Sequence, residues 1–451
     1  MKIKQFEDKN LSHYSYAILS DCDKKIIVID PSRNPQQYLD YAKLNEAQIT
    51  GVIETHPHAD FISSHLELHQ KTGAIIYTSK DVQALYPHQC FDEGQSIQLG
   101  KIKLTALNTP GHSPDSISIL LEHEGKQKAI FTGDTLFVGD CGRPDLREAA
   151  GKINTTREEL AKQMYYSLRD KLMKLEDDVV VYPAHGAGTL CGKSLSKESS
   201  STIGKEKQTN WSLKPMPAEK FIKFLLIDQP FIPAYFPYDV ELNRTGAAMF
   251  KTSIEAVYFK SIIKNQADAD TLDKAIMIVD TRNEKEYKKG HLPTAVNLME
   301  GAKFSTWLGS IIKPEEQFYL AGQNIDQLNK LIEDAAAIGY EPQIKAAFIL
   351  EYAAQSEMVF DMNLFKENIE NYTIVDVRND TEVKEGKLFI NSIFMPLQEI
   401  RNRVKEIPTN KPIVVHCAGG YRSAAGSSLI KSLLNNNTPV FDLGEDVKEF
   451  L

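Results

Sequence analysis

The stretch that decides how the first half of the chain is read is Val52-Ile53-Glu54-Thr55-His56-Pro57-His58-Ala59-Asp60-Phe61. The apolar residues from Ile49 to Glu54 predict a buried strand, and the polar run behind them predicts a loop at that strand's carboxyl end bearing two imidazoles and a carboxylate. Three further places deliver the same residue types beside predicted strands: Thr109-Pro110-Gly111-His112, Phe131-Thr132-Gly133-Asp134 and Tyr182-Pro183-Ala184-His185-Gly186. A lone histidine is more often core or surface filling than a ligand. Four strand ends that each carry His or Asp point instead to a metal site. Imidazole nitrogens with carboxylate oxygens suit zinc, non-haem iron or manganese, and the lack of thiolate ligands argues against a structural zinc.

Around these loops, short β-rich runs are predicted at 14–19, 25–30, 74–78, 101–108, 116–122, 128–132 and 179–182, with helices over 34–46, 62–72 and 155–176. This mixture implies a layered α/β domain. Residues 192–210, rich in Ser, Lys and Gly, read as an exposed connector, and the Pro-bearing stretch after them as a linker over 211–250. Beyond it lies an internal repeat: Ile278-Val279-Asp280-Thr281-Arg282-Asn283 is echoed by Ile374-Val375-Asp376-Val377-Arg378-Asn379. The expected division is therefore 1–210, a linker over 211–250, 251–355 and 356–451. A chain of 451 residues is long enough for two or three cores.

The net charge of −9 advertises no basic face for nucleic acid, and no apolar run approaches membrane-spanning length. With no secretory leader after Met1, a cytoplasmic protein is expected. Five scattered cysteines suggest neither a disulfide framework nor a zinc knuckle.

In order and spacing, the His-x-His-x-Asp motif, Gly111-His112, Gly133-Asp134 and His185-Gly186 resemble the metallo-β-lactamase superfamily across roughly residues 10–190. The resemblance implies a four-layered αββα sandwich. Hydrolases of that superfamily such as glyoxalase II carry His-x-His-x-Asp-His and hold two metals. Phe61 stands at the last position here, which would leave a second metal only Asp60, His185 and the bridging Asp134. The segment from Gly133 to Leu146, with Gly142-Arg143-Pro144-Asp145, resembles the persulfide dioxygenases. That likeness implies one Fe(II) per domain, held by His56, His112 and Asp134. His58, Asp60 and His185 would stand behind the ligands and orient them. Arg143 would grip a carboxylate of the thiol carrier, the alternative being a salt bridge with Asp145. Cys141 is expected to be packed. Cys191 is either a reactive thiol at the pocket mouth or a buried inert one.

Near the other end, Ile413-Val414-Val415-His416-Cys417-Ala418-Gly419-Gly420-Tyr421-Arg422-Ser423 predicts a buried strand, a tight loop and a helix running to about Leu434. A cysteine whose loop turns backbone N–H groups inward, ahead of a helix N-terminus, is predisposed to ionise, and Arg422 adds positive charge for a substrate. The segment resembles a rhodanese domain, with Cys417 as the nucleophile that accepts sulfane sulfur. Gly386-Lys387-Leu388-Phe389-Ile390 departs from the usual Gly-His-Ile-Pro-Gly of that family. The earlier repeat keeps Gly290-His291-Leu292-Pro293 but has Leu320 at about the cysteine position, so it reads as an inactive rhodanese-like domain.

The resemblances together imply an α/β multidomain enzyme that oxidises a low-molecular-weight thiol persulfide with O2 to sulfite, with Cys417 passing a second sulfur on as thiosulfate. Small molecules would be its substrates, and a homo-oligomer is expected. Two rivals stand beside this reading: a zinc-dependent, glyoxalase II-like thioester hydrolase, and a sulfur-responsive binding scaffold.

Overall fold

The computed structural model describes residues 1–146, 155–434 and 437–450. The chain divides into two compact units, Met1–Ser253 with Ala336–Gly339, and Ile254–Ala335 with Tyr340–Leu451.

The first unit is built on two six-stranded sheets. One holds β1 (Lys2–Asp8), β2 (His13–Ser20), β3 (Lys25–Ile29), β4 (Gln48–Ile53), β5 (Ile75–Thr78) and β6 (Gln89–Cys90), side by side in chain order. The other holds β7 (Ser96–Leu99), β8 (Ile102–Asn108), β9 (Ile117–His123), β10 (Lys126–Gly133), β11 (Val180–Pro183) and β12 (Ser201–Thr202), also in chain order. Alternation along each strand decides the layering. On β2 and β3, Tyr16, Ile18, Ile27 and Ile29 meet Ile117, Ile119, Leu121 and Phe131 of the second sheet. Their neighbours Ala17, Leu19, Ile26 and Val28 turn outward onto Tyr38 and Ala42 of helix α1 (Gln36–Leu44) and Leu68 of α2 (His65–Thr72). Leu120, Ile130 and Val181 turn the other way, onto Ala161 and Met164 of α3 (Arg157–Tyr166). The expected αββα sandwich is therefore present.

Two stretches differ from their sequence-based expectation. Residues 211–250, expected as a linker, form α5 (Ala218–Leu226) and α6 (Phe236–Thr245) after a short α4 (Ile203–Thr209), and Leu213, Phe221 and Leu225 join the core outside the second sheet. Residues 192–210 are not a free connector either. Buried Asp140 accepts hydrogen bonds from Lys193 N at 3.0 Å, Ser194 N at 2.8 Å and Trp211 Nε1 at 2.7 Å. Asn210 Nδ2 donates to Phe137 O and Asp140 O. The segment is strapped onto the loop that follows Asp134.

The second unit contains two four-stranded parallel sheets. β13 (Met277–Asp280), β14 (Val296–Asn297), β15 (Phe318–Gly322) and β16 (Ile344–Ile349) form one, in the order β14-β13-β15-β16. β17 (Thr373–Asp376), β18 (Ile393–Phe394), β19 (Ile413–His416) and β20 (Val440–Asp442) repeat that order in the other. The repeat extends to side chains. Asp280 takes the Arg282 guanidinium with both carboxylate oxygens while Arg282 Nη2 donates to Gly290 O, and Asp376, Arg378 and Gly386 do the same. Among the described residues, no helix is long and apolar enough to cross a membrane.

Candidate metal centre

Strands β4, β10 and β11 end at the same edge of the sandwich, and their following loops converge. Gly133 is the hinge of this convergence. Its φ of +50° and the approach of Thr55, whose Oγ1 would lie 2.6 Å from a Cβ, exclude any other residue without rearrangement. Gly142 folds the next loop back so tightly that a Cβ would overlap Asp134 O.

His56, His112 and Asp134 come together with one ligand atom from each inside a 4.8 Å circle, and all three are buried. His112 Nδ1 lies 2.9 Å from Arg143 O, which makes it the donor and turns Nε2, as acceptor, toward Asp134 Oδ2 at 3.4 Å. His56 Nδ1 sits 3.0 Å from Thr55 Oγ1, and its Nε2 is 3.9 Å from Asp134 Oδ2. Neither carboxylate oxygen of Asp134 has a hydrogen bond. A buried carboxylate without donors, faced by two imidazole nitrogens oriented from behind, fits a divalent cation.

His58, Asp60 and His185 form a second group of the same compactness. His185 Nε2 lies 3.4 Å from Asp60 Oδ2 and 3.5 Å from Asp134 Oδ1. Burial disfavours its charged form, yet Asp60 and Asp134 outweigh burial and raise its pKa. His112 goes the other way, its pKa lowered by burial against the pull of Asp134. Phe61 is 1% exposed and stacks at a tilt on His13 and His58, with ring centroids 3.9 and 4.3 Å away. An aromatic ring thus fills the place where the superfamily's hydrolases were expected to carry a ligand.

One residue enters the centre that the sequence did not bring there, and one that it set at the pocket mouth or in the core stands inside the ligand group. His13, at the start of β2, is buried against His58, Phe61 and His185. Cys191 is buried within the same compact group as Asp134 and His185, so a thiol does stand among the potential ligands, contrary to the expectation of a thiolate-free site. Burial, with Asp60 and Asp134 adding to it, raises the thiol's pKa well above its ordinary value. Cys141 is buried, as expected of a packed residue.

Arg143 is 1% exposed and paired fork to fork with Asp145, at 2.7 Å for both contacts, while Nη1 also donates to Leu190 O. Arg143 N donates to Cys191 O, so this loop and the strap are laced together.

In the second unit, Cys417 follows β19 directly. Its Sγ accepts from Gly420 N at 3.1 Å and Gly419 N at 3.5 Å, and Ser423 Oγ lies 3.7 Å away. Arg422 is clamped by Glu382 through two contacts of 2.5 and 2.7 Å. In the other repeat, Asp280 pairs with Ala321 as Asp376 pairs with His416, which puts Gly322 and not Leu320 at the position of Cys417. Either residue leaves that repeat without a thiol.

Comparison with known proteins places the two parts of the chain in families. The metallo-beta-lactamase superfamily matches residues 9–185, and the rhodanese-like domain matches residues 260–344 and 361–450. A metallo-beta-lactamase structure from Staphylococcus aureus subsp. aureus COL is 31% identical, with a TM-score of 0.67 over 77% of this chain and 98% of that one. The chain belongs to the metallo-β-lactamase superfamily. A hydroxyacylglutathione hydrolase of Francisella tularensis subsp. novicida is 32% identical over 190 residues, which is 41% of this chain and 68% of that protein. A structure of ETHE1 from Myxococcus xanthus is 28% identical, covering 54% of this chain and 98% of that one, with a TM-score of 0.47. This superfamily member carries two rhodanese-like domains behind its sandwich.

Proposed function

We propose that the protein is a mononuclear iron enzyme that oxidises a low-molecular-weight thiol persulfide with O2, and that its Cys417 domain transfers sulfane sulfur. What supports this reading is that His56, His112 and Asp134 each bring a ligand atom within 4.8 Å of the others, while the residue after Asp60, where a hydrolase would carry a ligating histidine, is Phe61. Two imidazoles and one carboxylate leave several positions open, which suits a site that must take both O2 and a sulfur. When bound there, ferrous iron supplies the activation of O2 that no side chain provides.

The chain's own residues do the rest. Arg143 O and Thr55 Oγ1 fix the two imidazole rings. Arg143, released from Asp145, presents a guanidinium fork to a carboxylate of the thiol carrier. The buried walls formed by His13, Phe61 and Cys191 keep bulk water from the sulfur. In balance, RSSH, O2 and H2O give RSH, sulfite and two protons. At Cys417 the thiolate, held by the Gly419 and Gly420 amides, takes the terminal sulfur of a persulfide and releases the free thiol. Sulfite then removes that sulfur as thiosulfate and regenerates the thiolate.

A second reading, thioester hydrolysis, is favoured by relatives named hydroxyacylglutathione hydrolase and by the His58, Asp60 and His185 group. One experiment separates the two: metal content of the purified full chain, with O2 uptake measured on glutathione persulfide and hydrolysis measured on S-lactoylglutathione. One iron per chain, with O2 consumed and sulfite formed, supports oxidation. Thioester cleavage without O2 uptake overturns it.

A further inference from the structure

Beside the centre just described lies another group of buried ligand atoms, which shares His58 with it and whose two carboxylates neither reading uses. Asp30 follows β3 and Glu54 follows β4, two adjacent parallel strands, and His58 comes from the loop after β4. All three side chains are buried, and one ligand atom from each falls inside a 4.8 Å circle. His58 Nε2 is 3.2 Å from Asp30 Oδ1 and 3.8 Å from Glu54 Oε2. Ligand atoms about 2.1 Å from a shared cation stand about 3.4 Å apart in a tetrahedral arrangement, and these distances bracket that value.

The partners of these groups leave a charge unanswered. Asp30 accepts from Thr55 N and Thr55 Oγ1, both at 2.8 Å, and Glu54 Oε1 accepts from Ser63 Oγ at 2.8 Å. Glu54 Oε2 and both ring nitrogens of His58 have no hydrogen bond. His65 Nδ1, 3.8 Å from Glu54 Oε2, is equally unpartnered. The contacts described around the two carboxylates are therefore hydroxyls, one backbone amide and imidazoles. Two neighbouring carboxylates out of water are relieved either by a proton on one of them or by a positive charge between them, and the unpartnered Glu54 oxygen and His58 ring nitrogens leave room for the second.

We propose that Asp30, Glu54 and His58 form a separate site for a divalent first-row cation. Two carboxylate oxygens and one imidazole nitrogen are a donor set for manganese(II), iron(II) or zinc(II). The cation ties the ends of β3 and β4 to the loop bearing His56 and Phe61. It thereby holds the iron-binding imidazole in place without touching substrate.

The test uses the full chain loaded with manganese(II) alone. Crystals measured at a wavelength where manganese scatters anomalously are expected to show two difference peaks, one among His56, His112 and Asp134 and one among Asp30, Glu54 and His58. Elemental analysis is expected to fall from about two ions per chain to about one in Glu54→Gln, with the first peak kept. A single peak at His56, His112 and Asp134 in the unaltered protein overturns the proposal, as does an unchanged ion content in Glu54→Gln. The crystallographic arm needs no variant, so a failure of Glu54→Gln to fold leaves the proposal open to refutation. A failure of the persulfide chemistry would move neither readout.

Discussion

Replacing Asp140 by Ala should unstrap Cys191. The Asp140 carboxylate, fully buried, is the common acceptor for Lys193 N, Ser194 N and Trp211 Nε1. Its loss strands three donors. An unsatisfied buried donor costs about 1–3 kcal/mol, and the half-buried indole recovers part of that from water, so about 3 kcal/mol of the strap's closing free energy should go. Because Asn210 and Arg143 still hold the segment from its two sides, the expected effect is easier local opening and not global unfolding. At about 1.4 kcal/mol per decade, opening should become about 100-fold more frequent. Site-resolved mass spectrometry of iodoacetamide labelling reads this directly, since Cys191 is 1% exposed and reacts only when the strap lifts. Labelling at Cys191 within about threefold of the unaltered protein would refute the reasoning, whatever happened to the exposed Cys22 and Cys90.

Three further outcomes are expected. Asp134→Ala removes the shared carboxylate of the centre and should abolish metal binding there, which elemental analysis checks against a His123→Ala control on the surface. Gly420→Ala meets a φ of +96° and contacts of 3.2 Å to Gly444 and Glu445, so the Gly420 amide should swing off Cys417 Sγ. A charge-assisted hydrogen bond of about 1.5–3 kcal/mol predicts a fall of about 10–100-fold in thiosulfate formation, with sulfite production in the first unit unchanged. His65, its pKa pushed down to about 3 by burial and then by His58, stays neutral in the native state while the unfolded chain takes up a proton below about pH 6.5. Stability from this residue is thus complete above pH 6.5 and is lost as pH falls toward 3, at up to about 1.4 kcal/mol per pH unit. Urea unfolding of the first unit at pH 7 and pH 5 should show a shallower loss in His65→Gln, and equal losses would contradict the assignment.

The strands were legible because each buries one face or both, leaving a period of two or an unbroken apolar run. The short β6, β7 and β12 escaped, as did β1, because only Ile3 and Phe6 mark it within a charged edge strand. Helices α5 and α6 were hidden by proline. Pro217 precedes α5 and Pro237 sits in the first turn of α6, places where a missing N–H costs nothing, yet their density reads as a linker. The ligand trio was legible because each member follows a strand in a recognisable motif. Cys191 was legible only as a choice between pocket mouth and core, and His13 not at all, since nothing local distinguishes it; a long strap and a neighbouring strand bring them in. Gly322 was misplaced as Leu320 because strand register is invisible until the sheet is seen.

That register limits what a cysteine placed in the earlier repeat could do. Between Gly322 and the helix Ile325–Ala336 stand two residues, Gln323 and Asn324, whereas three, Ala418, Gly419 and Gly420, separate Cys417 from the helix Tyr421–Leu434. The shorter bend cannot offer the pair of amides that cradle sulfur, and a side chain at 322 would press within 3.0 Å of Leu328 and Gln327. Grafting a cysteine there would yield a crowded thiol and no sulfurtransferase. Sulfur transfer at this repeat would take an inserted residue as well as a new nucleophile.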